Sequence, residues 1–242
     1  MMVDVVTSSD KPLKISALAT TVGVPRNTAY ELVATLVDGD VLTLSEGGLV
    51  SAGPRLLQWG GAYARTVDVV TAGREVARSV ARATDATVHI GRLEGPDIIY
   101  LVKEDFGQHI RMGSAVGRRM PAYATGLGKA ILGSLPEAEL DAYLASTPLV
   151  ALTPGTLTTP EALRADLRTV AEQGVAYDCE ESSPDVCCIA SAVRDDTGRV
   201  VAGLSVSTLA TRMTPETQAR LAAAAREGAT ALSALLGYAG RL

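Results

Sequence analysis

Three cysteines, Cys179, Cys187 and Cys188, are all that this 242-residue chain contains, and they crowd into DCEESSPDVCC at 178–188 among Asp178, Glu180, Glu181 and Asp185. Thiols and carboxylates this close together suggest three kinds of chemistry. A structural zinc site needs about four deprotonated ligands in a tetrahedron. No CxxC spacing occurs, the two histidines His89 and His109 are distant in sequence, and a strand would turn the adjacent Cys187 and Cys188 to opposite faces. A cysteine nucleophile needs a base within hydrogen-bond reach and an oxyanion hole, a role for Cys188 if His89 or His109 approaches it. The third use is packing, since cysteine is small and polarizable, and it suits Cys179 and Cys187.

Two further stretches carry chemistry. In ATGLGKA at 124–130, Gly126 and Gly128 fall at the start of an expected helix. Free N–H groups and the helix dipole favour an anion there, and glycine lets a ligand approach the backbone. A tight strand-to-helix turn would explain the same glycines. The spacing lacks the four-residue gap and the Ser/Thr of a phosphate loop, so Lys129 does not mark a nucleotide hydrolase. In PRNTAYELV at 25–33, Arg26, Asn27, Thr28, Tyr30 and Glu31 gather at the start of another helix, where phosphate is attracted and base edges can be reached.

These groups need elements to hold them. An apolar content of 47% supports a substantial core, and the length suits two domains. No signal peptide or membrane-spanning run is evident, so a soluble cytoplasmic protein with reduced thiols and no membrane partner is expected. A net charge of −5 excludes nucleic-acid coating by bulk electrostatics and leaves room only for a local reading head. Residues 1–60 are themselves acidic: Lys11, Lys14, Arg26 and Arg55 stand against Asp4, Asp10, Glu31, Asp38, Asp40 and Glu46.

Ile15, Leu18, Ala19 and Val22 share one helix face that Gly23 ends, and Ala29, Leu32, Val33 and Leu36 repeat the spacing after Pro25. Leu32, Val33 and Leu36 are expected in the core. Two short helices about a glycine turn, followed by a hairpin around SEGG, have the form of a winged helix-turn-helix over 1–53. A linker helix over 54–66 carries a weak point at Gly60 and Gly61. From Ala86 to Ala124 strand patterns dominate, including one over 109–116. Helices follow at 126–135, 136–146 and 159–174, the last capped by Thr159, and three more strands and a long C-terminal helix complete a domain over 67–242. Strands around a helical insertion give an α+β class with an antiparallel sheet.

The ordered motifs ISALATTVGVPRNTAYELVATL, GPRLLQWG, TVHIGRLEGPDIIYL, VGRRMPAYATGLGKAIL, LTTPEALRADLRTVAEQGVAYDCEE and CCIASAVRDDTGRVVAGLSVS resemble the IclR family of bacterial transcriptional regulators over almost the whole chain. The resemblance implies a DNA-binding winged helix-turn-helix, a linker helix and a GAF-like domain that binds a small organic-acid effector, assembled as a homodimer or homotetramer without cofactor or metal. It assigns operator contacts to Arg26, Asn27, Thr28 and Tyr30. It places the effector against Gly126, Leu127, Asp178, Cys188, Ser205 and Ser207; alternation puts Val186 on the side of Cys188, and Met112, on the strand before the glycines, is expected as an apolar side of the pocket. Two rival functions are an enzyme on the same scaffold with Cys188 as nucleophile and a sensor that has lost DNA binding.

Overall fold

A 3.6-residue apolar period dominates the first part of the chain and a two-residue period much of the rest, and the elements follow that division. The computed structural model describes residues 2–9, 11–59, 68–105 and 114–240. It separates into two units, Met1–Thr66 and Val67–Leu242.

In the first unit, helices α1 (Met2–Thr7), α2 (Ile15–Val22) and α3 (Arg26–Asp38) pack beside a three-stranded antiparallel sheet of order β1-β3-β2, with β1 Leu13–Lys14, β2 Leu42–Leu44 and β3 Leu49–Ala52. Helix α4 starts at 54 and is described through 59. Gly23 adopts φ 75° and donates its N–H to the Ala19 carbonyl, which ends α2 and redirects the chain into α3. Ile15, Leu18 and Ala19 pack with Ala29, Val33, Leu42 and Val50. Each large apolar side chain removed from water there contributes roughly 1.5–3 kcal/mol.

Leu32 departs from its expected place in the core, being 42% exposed. The buried stripe of α3 runs through Ala29 and Val33 towards Leu36 and Val37. Successive helical residues are about 100° apart, so Leu32 falls off the edge of that stripe.

The second unit is built on a six-stranded antiparallel sheet of order β6-β5-β4-β9-β8-β7. Its strands are β4 Thr87–Glu94, β5 Asp97–Glu104, β6 Arg119–Pro121, β7 Ala176–Cys179, β8 Val186–Arg194 and β9 Val200–Leu209. Helices α5 (Val69–Thr84) and α9 (Pro215–Leu235) cover one face, and α6 (Gly126–Leu132), α7 (Glu137–Ser146) and α8 (Pro160–Gln173) the other. Alternation along β9 sorts the faces. Leu204 and Val206 join the cluster of α5 and α9, and Gly203, Ser205 and Ser207 point the opposite way. Threonines at 125, 159 and 214 cap α6, α8 and α9 by accepting from backbone N–H groups in the first turn.

The strand expected over 109–116 is not found in its described part. Residues 114–118 form a turn in which Gly117, at φ 83°, donates to the Tyr100 carbonyl. Residues 109–113, with His109 and Met112, lie outside the described residues, as do Gly60, Gly61 and the linker through 66. Among the described residues no helix is long and apolar enough to cross a membrane.

Candidate functional site

Arg26, Asn27, Thr28, Tyr30 and Glu31 are all exposed in the first part of α3. Asn27, Thr28 and Glu31 project away from the buried Ala29 and Val33, Tyr30 flanks that stripe, and Arg26 lies on its side of the helix but is exposed in the first turn. The wing turn between β2 and β3 is closed by Ser45, which accepts from the N–H groups of Gly48 through its carbonyl and Leu49 through its hydroxyl.

A cavity of about 160 Å³ opens in the second unit, on the sheet face that carries Ser207. His89 and Tyr100 come from β4 and β5, Cys188 and Ser207 from β8 and β9, Ser114, Arg118 and Met120 from the segment around β6, and Ser182, Ser183 and Val186 from the β7–β8 connection. The Cys188 Sγ and Ser207 Oγ are 3.0 Å apart. Burial first, and then the Asp178 carboxylate, push the Cys188 thiol up, away from the thiolate that a nucleophile needs.

His89 is, with Tyr100 and Cys188, one of the buried titratable groups of this cavity. Its Nε2 lies 2.8 Å from Ser114 Oγ, and its ring centroid is 4.7 Å from that of Tyr100. Burial, reinforced by Lys103, lowers its pKa to about 4, so the imidazole is neutral at physiological pH. Lys103 donates to the Ser114 carbonyl at 3.0 Å and pairs with Asp105 at 3.2 Å. The neutral ring, the serines and the sulfur together give a polar but mostly uncharged surface in which Arg118 supplies positive charge.

One side of the cavity is the connection 180–185, and its shape is set by ionic contacts. Lys129 on α6 is 1% exposed, donates to both Glu181 carboxylate oxygens at 2.7 and 2.9 Å and lies 3.0 Å from Asp166 on α8. Asp178, fully buried, accepts from the N–H groups of Glu181 (2.8 Å) and Ser182 (3.3 Å) and from the Ser182 hydroxyl (2.6 Å). The Glu180 and Glu181 carbonyls accept from the Thr153 and Thr156 hydroxyls respectively. Helix α6 comes close to β8 at Gly126, where a Cβ would stand 3.2 Å from the Cys188 carbonyl oxygen, and a Cβ at Gly128 would stand only 2.1 Å from the carbonyl oxygen of Ala122, so Gly128 permits the tight turn by which the chain enters α6.

Of the residues expected at the effector, Val186, Cys188 and Ser207 border the cavity. Gly126 and Leu127 are buried behind Cys188 and against Gly203. Ser205 is buried opposite His89 in the β4–β9 register, and Asp178 holds Ser182 from behind. Sequence reasoning raised His89 only as a base for Cys188 and missed Tyr100, Arg118, Met120 and the serines at 114, 182 and 183 as neighbours. For His89, alternation along TVHIG was a usable signal. Among the described residues no group of three or more His, Cys, Asp or Glu side chains is arranged to hold a metal.

Burial raises the Asp178 carboxyl above its ordinary value, against the opposing pull of the Ser182 and Glu181 donors and of Lys129. The folded chain therefore holds this proton at a higher pH than the unfolded chain does. That contribution to stability is present in acid and lost as pH rises through the folded value. Asp178→Asn removes the titration and keeps an acceptor oxygen. Thermal unfolding should show the wild type gaining on the variant as pH falls towards the ordinary carboxylate value of about 4, and parallel pH profiles would contradict the assignment.

Comparison with known proteins agrees with this architecture. The family description "IclR helix-turn-helix domain" matches residues 1–46, and "Bacterial transcriptional regulator IclR C-terminal" matches 61–234. The HTH-type transcriptional regulator XynR of Escherichia coli K12 is 33% identical over 93% of this chain and 90% of its own length. KdgR of the same organism is 32% identical over 95% and 88%. The solved structure of the Agobacterium tumefaciens repressor BlcR superposes with a TM-score of 0.87 at 26% identity, covering 99% of this chain and 95% of that one. With the winged helix-turn-helix, the antiparallel sheet domain and these matches in hand, the chain belongs to the IclR family of bacterial transcriptional regulators.

Proposed function

We propose that this regulator acts in the cytoplasm as a homodimer or homotetramer, reads an approximately palindromic operator through Arg26, Asn27, Thr28 and Tyr30, and adjusts that binding when a small organic acid occupies the cavity. Residues 1–53 serve as the reading head, 54–66 as the linker and 67–242 as the effector domain. Exposed Leu57 and Trp59 on α4 support self-association through the linker.

The observation that carries the effector assignment is the lining of the cavity. Its volume of about 160 Å³ is close to that of a cavity able to take up one benzene ring, about 150 Å³. Arg118 draws the carboxylate of the ligand, neutral His89 and the Ser207 hydroxyl exchange hydrogen bonds with a hydroxyl or amino group, and Tyr100, Met120, Val186 and Cys188 surround the carbon skeleton. Gly126, Leu127, Ser205 and Asp178 support these groups from behind. The raised Cys188 thiol favours this role over that of a nucleophile.

On the DNA side, Arg26→Ala should weaken operator binding and reduce the slope of log affinity against log salt by about one unit, the share of one neutralised phosphate. A salt titration with unchanged affinity and slope would remove Arg26 from the interface. On the effector side, calorimetry against hydroxy, amino and phenolic acids and their matching amides should find binding confined to acids. Amides that bind as tightly as acids would refute the carboxylate assignment.

A further inference from the structure

Cys179 and Cys187 are direct partners in the β7–β8 ladder, on the side of the sheet opposite Asp178 and Cys188. The Glu180 N–H donates to the Val186 carbonyl at 2.9 Å. The next pair along, Cys179 and Cys187, is therefore a non-hydrogen-bonded one, in which Cα atoms approach to about 4.5 Å and side chains come closest. That separation lies within the span of about 4.4–6.8 Å that a disulfide bridges. Strand β7 is an edge of the sheet, both thiols are free, and Cys179 is exposed where Cys187 is buried. The Cys187 thiol is pushed up to about 12, by burial first and then by Cys179, Asp178 and Glu180 around it.

We propose that Cys179 and Cys187 form a dithiol modification site whose co-reactant is a small hydroperoxide. Cys179, the exposed member, attacks as its thiolate one oxygen of the peroxide. The O–O bond breaks, the other oxygen leaves with a proton as water or an alcohol, and Cys179 becomes a sulfenic acid. The Cys187 sulfur then attacks the sulfenyl sulfur and loses its proton, and the hydroxyl leaves as water. In sum, two thiols and one hydroperoxide give one disulfide, one water and one water or alcohol. A dithiol whose buried member stays protonated gains little stabilisation as a thiolate, so the closed disulfide resists reduction. Closure joins the two ends of the connection that brings Ser182, Ser183 and Val186 to the cavity. The site stands whether or not that cavity takes an acid.

The test uses the full chain, treated with hydrogen peroxide, alkylated after unfolding and digested without reduction. Cleavage after Glu180 and Glu181 separates the two cysteines, so a Cys179–Cys187 disulfide appears as a cross-linked pair of peptides about 2 Da lighter than their sum, with Cys188 still alkylated. Phenylarsine oxide, which bridges two adjacent thiols, should be retained by the reduced protein and lost from both Cys179→Ser and Cys187→Ser. Hydrogen exchange over 180–186 should be slower in the oxidised protein. A cross-link through Cys188, a bond only between chains, or sulfinic acid at Cys179 with no cross-link would each overturn the proposal.

Discussion

A buried ammonium organises the cavity side of the second unit. Taking Lys129 out of water costs several kcal/mol, which only closely placed carboxylates offset. Glu181 and Asp166 do so from the β7–β8 connection and from α8, so a single cation ties three separate elements together. Lys129 reaches that position because α6 lies against the sheet, where Gly126 presents no Cβ to Cys188, and because Gly128 lets the chain turn tightly past Ala122 into the helix. The glycines thus serve first to bring a charge to its partners. With Glu181 held, the Asp178 carboxylate can gather the neighbouring N–H groups, and Ser182 and Ser183 come to border the cavity.

The sheet divides the labour between its faces. Leu204, Val206, Ile90 and Val88 bury against α5 and α9 and supply cohesion. The opposite face carries Gly203, Ser205, Ser207, Cys188 and His89, residues too small or too polar to fill the space beneath the connection. A cavity is the consequence. Its hydrogen-bonding groups are uncharged apart from Arg118, because burial keeps His89 neutral and the Cys188 thiol protonated. In the first unit the same economy applies: burying Ala29 and Val33 turns Asn27 and Thr28 outward, while Arg26 is exposed in the first turn of α3.

Local rules made much of this legible. The Gly23 turn, the Thr159 cap, the opposite orientation of Cys187 and Cys188, and the shared face of Ser205 and Ser207 all follow from short-range periodicity and stereochemistry. Tertiary decisions escaped. Leu32 sits at the margin of an apolar stripe, where the neighbouring elements decide whether it is covered. Residues 109–116 satisfied a strand pattern, yet its described end, 114–116, leads into a turn at Gly117, which has positive φ. Lys129 invited comparison with phosphate loops, but its partners lie on other elements, Glu181 being 52 residues away. Asp178 was placed at the effector by resemblance, and the chain's own donors occupy its oxygens, a fact that depends on how the connection after β7 folds back.

The central claim is that the Lys129 ion pairs shape the connection bordering the cavity, and Lys129→Met tests it most directly. Methionine keeps much of the side-chain volume and leaves Glu181 and Asp166 without their cation. The account predicts a loss of about 3–5 kcal/mol in unfolding free energy at neutral pH. It also predicts faster hydrogen exchange concentrated over residues 178–186, with the helix-turn-helix unaffected. Unchanged stability together with unchanged exchange over that segment would contradict it.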